Sequence, residues 1–221
     1  MKNSSKKYEI IFFLLIYFVL FFQAILNKDS IIALISAFCG ITYTILAGKG
    51  IPVCYPIGAT GSAFYAYLSF AGNLWGNLIL YLFYYIPMQI LGFFNWNKNL
   101  KSDKYEIIKV KLKTKERFWL FCSAFLLSLC VIAILYHLKD NSPVIDGLTT
   151  VFSVLGMYLT VRRCIEQWFV WIGVNVLSLI MWLNIALDGA KVYSTVFMWF
   201  VYSILAIYFC FSWHKEMKEK L

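Results

Sequence analysis

Charge is what this sequence has least of. Only 14% of its 221 residues are Asp, Glu, Lys or Arg, against about 25% in a typical soluble domain, so an ordinary water-soluble globule is excluded. Histidine occurs twice, as His137 and His214. Each stands at the end of an apolar run with no second ligand beside it, so no metal centre is expected. The six cysteines, at 39, 54, 122, 130, 164 and 210, form no CxxC pair. Scattered through apolar runs, they read as small packing residues and not as a disulfide framework or a zinc site. There is no Gly-rich phosphate loop, no facing pair of acidic residues and no Ser or Cys with a neighbouring base. The chain is therefore not expected to be an enzyme, and no cofactor is implied. A net charge of +9 could suggest a nucleic-acid partner, but the charges sit in short segments between long apolar runs, which a membrane protein explains better.

What the sequence has in abundance is apolar length: 62% of residues are hydrophobic and 19% aromatic, with a mean hydropathy of +0.73. Runs able to cross a bilayer, about 17–25 residues each, lie at 9–26, 31–48, 52–71, 74–94, 118–137, 144–161, 167–187 and 194–213. This predicts an all-α integral membrane protein of eight transmembrane helices. The first run follows Lys6 and Lys7 as a signal peptide would, but it is long and no small-residue cleavage site follows, so it is read as an uncleaved span. If the N-terminus is cytoplasmic, 17 of the 20 Lys and Arg residues fall on that side, leaving Lys28, Lys139 and Lys191 outside. That bias predicts both termini in the cytoplasm and an even number of spans. Residues 95–117 form the one sizeable hydrophilic loop, with the alternating run Lys-Val-Lys-Leu-Lys-Thr-Lys. It reads as a topological anchor on anionic lipid, with a docking role as the alternative.

A sparse internal repeat organises the spans. Tyr43 to Gly58 can be laid on Tyr158 to Gly173 at an offset of 115, and Phe94-Asn95-Trp96 falls opposite Phe211-Ser212-Trp213. An offset of four spans preserves orientation, so the repeats are parallel, a known transporter plan with substrate bound between the halves. The expected division is an N-terminal helix (1–28), a first three-helix repeat (29–97), a basic cytoplasmic loop with a linker helix (98–142), and a second three-helix repeat with the C-terminal tail (143–221).

Chemistry concentrates in the seventh span. Trp168, Trp171, Asn175, Ser178 and Trp182 recur at 3- and 4-residue spacing and share one helical face. Asn and Ser have no use against lipid, so this face should line a slot for a flat, polar-edged molecule. Trp168 has a second reading as an interfacial belt residue. In span four, Pro87 and Gln89 mark either a ligand-lining bend or a hydrogen-bonded helix contact. Tyr65 lies too deep for a belt, whereas Tyr55 and Trp75 read as interfacial anchors. Asp146 either draws a cation towards the outer mouth or caps its own helix. Thr150 and Ser153 either face the cavity or bond their own backbone carbonyls. Glu166 reads as an ion pair with Arg162 and Arg163.

The run Glu166-Gln167-Trp168-x-x-Trp171-x-x-x-Asn175 resembles the WxxWxxxN signature of the PnuC family of bacterial vitamin transporters. Pro87-Met88-Gln89-x-x-Gly92-x-x-x-Trp96 and Asp146-Gly-x-Thr149-Thr150 resemble two further patches of that family. The likeness covers about residues 30–213. It implies a SWEET-like 3+1+3 arrangement in the bacterial inner membrane and import of nicotinamide riboside by facilitated diffusion, with trapping by a cytosolic kinase. It also implies a homotrimer. Relatives of the same fold carry thiamine or riboflavin, so thiamine is the alternative substrate, and a non-transporting membrane scaffold is the alternative class. The substrate-binding residues expected on these grounds are Trp168, Trp171, Asn175, Gln89, Thr150, Ser178, Tyr65 and Asp146.

Overall fold

The computed structural model describes residues 2–100 and 107–218, with side chains of the first helix from Ile10 onward. Lys101, Lys104 and Lys220 of the charge pattern therefore lie outside the described residues. Among these, eight helices follow one another: α1 (Lys2–Leu26), α2 (Ile31–Gly48), α3 (Cys54–Ala71), α4 (Trp75–Lys98), α5 (Thr114–His137), α6 (Pro143–Val161), α7 (Gln167–Leu187) and α8 (Tyr193–Lys218). Helices are what a chain this apolar must form, because hydrocarbon offers no partner to a backbone N–H or C=O. Six of them, all but α1 and α3, are long and apolar enough to cross a membrane. The less apolar α3 carries small residues and buries Gly58, Gly61, Ser62 and Tyr65 against its neighbours.

Six of the turns between helices close the same way. The amides of Asp29, Ile51, Leu74, Asp140, Cys164 and Ala190 each donate five residues back, to the carbonyls of Ala24, Leu46, Ser69, Leu135, Leu159 and Ile185. The preceding residue in each has positive φ: Lys28, Gly50, Asn73, Lys139, Arg163 and Gly189. This left-handed cap satisfies the otherwise orphaned carbonyls of a helix end. Only two of the six cap residues are glycine, so composition alone does not mark these stops.

The last helix of each three-helix set is held by the other set. At the end of the bundle that carries most of the basic residues, Trp96 of α4 donates its indole N–H to Thr160 O of α6 at 3.0 Å, and Trp213 of α8 donates to Gly48 O of α2 at 2.8 Å. At the far end the exchange recurs. Asp140, before α6, accepts the Trp75 amide at the start of α4, and Asp29, before α2, accepts the Ser194 amide near the start of α8. Trp96 and Trp213 are both fully buried. These crossed bonds interlock the two sets, α2–α4 and α6–α8, with α5 at the periphery exposing Phe118, Trp119 and Leu126.

The described part of the basic segment, residues 107–113, is tied to the helix bundle. Ile107 and Leu112 are buried. The Ile107 amide donates to Gly50 O, Val110 exchanges backbone bonds with Arg163 and Ile165, and both Glu166 carboxylate oxygens accept the Leu112 amide. The segment thus straps the α2–α3 turn to the α6–α7 turn. Lys109 pairs with Glu216 and stands 4.7 Å from the Trp213 ring centroid. Glu166 is paired with Arg117 of the following helix at 2.7 Å, and not with the two arginines before it. Arg162 instead meets Glu116 and Tyr158, and Arg163 donates to Ile108 O. Because Glu166 is buried and holds strap and helix together, Glu166→Ala is expected to cost about 3 kcal/mol. Trypsin should then cut within 107–117 in the folded variant while sparing the same segment of the parent.

Candidate functional site

A cavity lies between the interlocked sets. It is lined from α2, α3, α4, α6, α7 and α8 and receives no side chain from α1 or α5. Three local features build it.

The first is a break in α4. Residues Tyr81–Tyr85 form a π-helical turn just before Pro87, with the Ile86 amide bonded back to Tyr81 O. Such wide turns accommodate a disrupted hydrogen-bond ladder and favour functional positions. The extra width aligns Tyr81, Tyr85 and Gln89 on the cavity wall. Gln89 donates its amide to Ser62 Oγ at 2.9 Å, while its Oε1 is buried without a partner. The bend therefore serves both of its expected purposes, helix contact and cavity lining.

The second is Tyr65, whose hydroxyl oxygen accepts the indole N–H of Trp182 at 2.5 Å and of Trp199 at 3.2 Å. Its ring stacks on Tyr81, centroids 4.2 Å apart and 28° between planes. Trp182 is spent in this contact and stands behind the wall.

The third is the α7 face. Trp168, Trp171 and Asn175 line the cavity with Gln167. Trp168 is buried, edge-on to Trp213 and tilted over Phe209, so it is not a belt residue. Its Nε1 has no hydrogen-bond partner. Asn175 is 3% exposed in the same wall. A buried polar atom without a partner is costly, and here the Trp168 donor and the Gln89 acceptor border one cavity. Among the described residues, no Lys, Arg, His, Asp or Glu lines it.

Three expected residues stand elsewhere. Ser178, though buried, is not part of the lining, nor is Thr150. Asp146 neither caps its own helix nor opens to a mouth: it is fully buried and caps α4, accepting the Gly76 amide at 3.0 Å and the Asn77 side chain, with the Thr150 hydroxyl 3.4 Å away. Tyr55, expected as an anchor, is 1% exposed and packs edge-on against Trp96. A methyl group on Gly92 would collide with its ring, which explains that glycine. Residues not expected from sequence as part of the site also line it, among them Tyr43, Tyr81, Tyr85, Met157, Met198, Trp199 and Tyr202. Extending the Gln89 stripe upward by fours reaches Tyr85 and Tyr81; the rest carry no signal in uniformly apolar helices.

Arg162 and Arg163 do not line this space. The Glu116 carboxylate beside Arg162 holds its guanidinium above the ordinary value, and burial lowers that of Arg163. Burial likewise pushes the Cys164 thiol, which follows them, up to about 11, so it remains a protonated packing group at neutral pH.

A helical bundle with membrane-spanning apolar helices, interlocked halves and an aromatic chamber between them defines a multi-pass membrane transport protein. Its sequence matches the pattern of the nicotinamide mononucleotide transporter family over residues 30–215. It is 31% identical over 200 residues to the nicotinamide riboside transporter PnuC of Neisseria mucosa, covering 88% of this chain and 76% of that one. To the nicotinamide riboside transporter PnuC of Haemophilus influenzae it is 29% identical over 219 residues, covering 98% and 94%. The crystal structure of the vitamin B3 transporter PnuC superposes with a TM-score of 0.86 at 28% identity, covering 96% of this chain and 92% of that one. The chain belongs to the PnuC family of membrane transporters.

Proposed function

We propose that this protein carries nicotinamide riboside across the bacterial cytoplasmic membrane by facilitated diffusion, with a cytosolic kinase trapping the product. The observation that carries this reading is the cavity's composition: aromatic faces with unpartnered amide and indole groups, and no charged side chain. Nicotinamide riboside presents a flat pyridinium cation, a carboxamide and ribose hydroxyls. Indole and phenol faces attract such a cation, about 0.5–2 kcal/mol each once water is excluded. Gln89 and Asn175 offer the donors and acceptors that the carboxamide or ribose requires, with Trp168, Trp171 and Tyr65 completing the contact set.

The family pattern is named for the mononucleotide, but its phosphate would enter a chamber lined by no cation, and a buried unpaired anion is strongly disfavoured. This favours the riboside. The absence of a titratable carboxyl or imidazole from the lining favours downhill transport over ion coupling. The basic end, including the strap and Arg162 and Arg163, is taken as cytoplasmic from the positive-residue bias. Assembly into a homotrimer rests on the family resemblance and is read from the mass of the purified protein.

Calorimetric titration with nicotinamide riboside, thiamine, riboflavin and nicotinamide mononucleotide tests this reading. Binding of the riboside at least 100-fold tighter than the mononucleotide is expected. Preference for thiamine would retain the chamber and replace the substrate, and binding of none would favour the scaffold alternative.

A further inference from the structure

We infer that Thr160 is a positioning residue for the substrate slot, fixing the indole of Trp171 through its hydroxyl, with Gly156 as the flat seat on which that indole rests. This inference depends on the reading of the cavity as the nicotinamide riboside site. Trp171 lines the cavity from α7 and is only partly buried, so packing alone does not fix its ring. Its Nε1 donates to Thr160 Oγ1 at 3.0 Å. The same hydroxyl spends its one proton on Gly156 O at 2.8 Å, which leaves its lone pairs for the indole and sets the direction of both bonds. One turn before Thr160, a methyl on Gly156 would stand 3.0 Å from Cζ2 of Trp171 and 3.1 Å from Cε2. The indole edge that carries Nε1, Cε2 and Cζ2 therefore lies directly against α6, and the remainder of the ring is presented to the chamber.

Thr160 is itself held. It is 2% exposed, and its carbonyl accepts the indole N–H of Trp96. The wall that meets the ligand and the crossed bond between the helix sets therefore share one residue. A ring pinned at one edge keeps its π face in register with a planar cation; a ring free to turn loses that orientation between encounters. Nothing about a threonine in the last turn of an apolar helix marks this role in sequence, because the hydroxyl's own backbone bond already accounts for it.

The test is nicotinamide riboside binding to purified variants, with folding checked by thermal unfolding. Thr160→Val keeps the shape and removes the acceptor, and about a tenfold loss of affinity is expected; Thr160→Ser should restore affinity to within about twofold of the parent. In the Trp171→Phe background, which lacks the indole N–H, Thr160→Val should cost nothing further. Gly156→Ala gives an independent arm: it should weaken binding in the parent but not in the Trp171→Phe background, whose shorter ring clears the methyl. Multiplying losses in the double variants, or parent-like affinity in Thr160→Val, would overturn the positioning role while leaving the substrate assignment intact. Failure of the parent protein itself to bind nicotinamide riboside would instead remove the substrate reading, and this inference with it.

Discussion

Asn175→Leu is expected to lower the affinity for nicotinamide riboside about 100-fold while the protein remains folded. The two side chains share the same four-heavy-atom branching, and Asn175, 3% exposed, borders the open space of the cavity, into which the somewhat bulkier leucine can extend. What disappears is one group able both to donate and to accept. A ligand carboxamide or hydroxyl placed against leucine gives up its water without replacement, at about 1–3 kcal/mol for each unmet group, and 2.8 kcal/mol is about 100-fold. The paired control is Lys111→Glu on the exposed side of the strap, which should leave affinity unchanged. If Lys111→Glu abolishes function and Asn175→Leu does not, the chamber is not the working site and the basic segment is.

Asp146→Ala should have the largest effect on stability, about 2–6 kcal/mol, with little change in the affinity of the molecules that remain folded. The Asp146 carboxyl is fully buried and does not line the cavity. It satisfies the Gly76 amide and the Asn77 side chain at the start of α4. Truncation leaves both donors buried and unpaired, at about 1–3 kcal/mol each, at a helix end that has no cap of its own. The measurement is the thermal midpoint of purified protein beside its dissociation constant. A variant that is as stable as the parent but no longer binds would place Asp146 in ligand recognition after all.

Both predictions trace to how differently the two residues could be read. Asn175 was legible because helical spacing joins it to Trp168 and Trp171, and that part of the periodic face borders the cavity while Ser178 and Trp182 do not. Asp146 was misplaced because its partner lies 69–70 residues away, in a turn that sequence spacing cannot reach. The same distinction separates Gln89, found from its own helix, from Ser62, Tyr43 and Tyr202, which become its neighbours around the chamber only when three other helices close on it. Glu166 is the clearest case: two arginines stand three and four residues before it, yet its partner is Arg117, because Arg162 is engaged by Glu116 and Arg163 by the Ile108 carbonyl.

The sequence by itself determined the helices, their order and the polar face of α7. A chain in hydrocarbon has almost no alternative to hydrogen-bonded helices, and side chains three and four apart must then share a side. Tertiary structure alone decided which of many apolar residues surround the chamber, where Asp146 and Glu166 find partners, and that the basic segment folds inward as a strap. Each of those depends on contacts between helices. Where nearly every side chain is apolar, lipid and protein neighbours are equally acceptable to it, so only the packing of one helix against another tells the two apart.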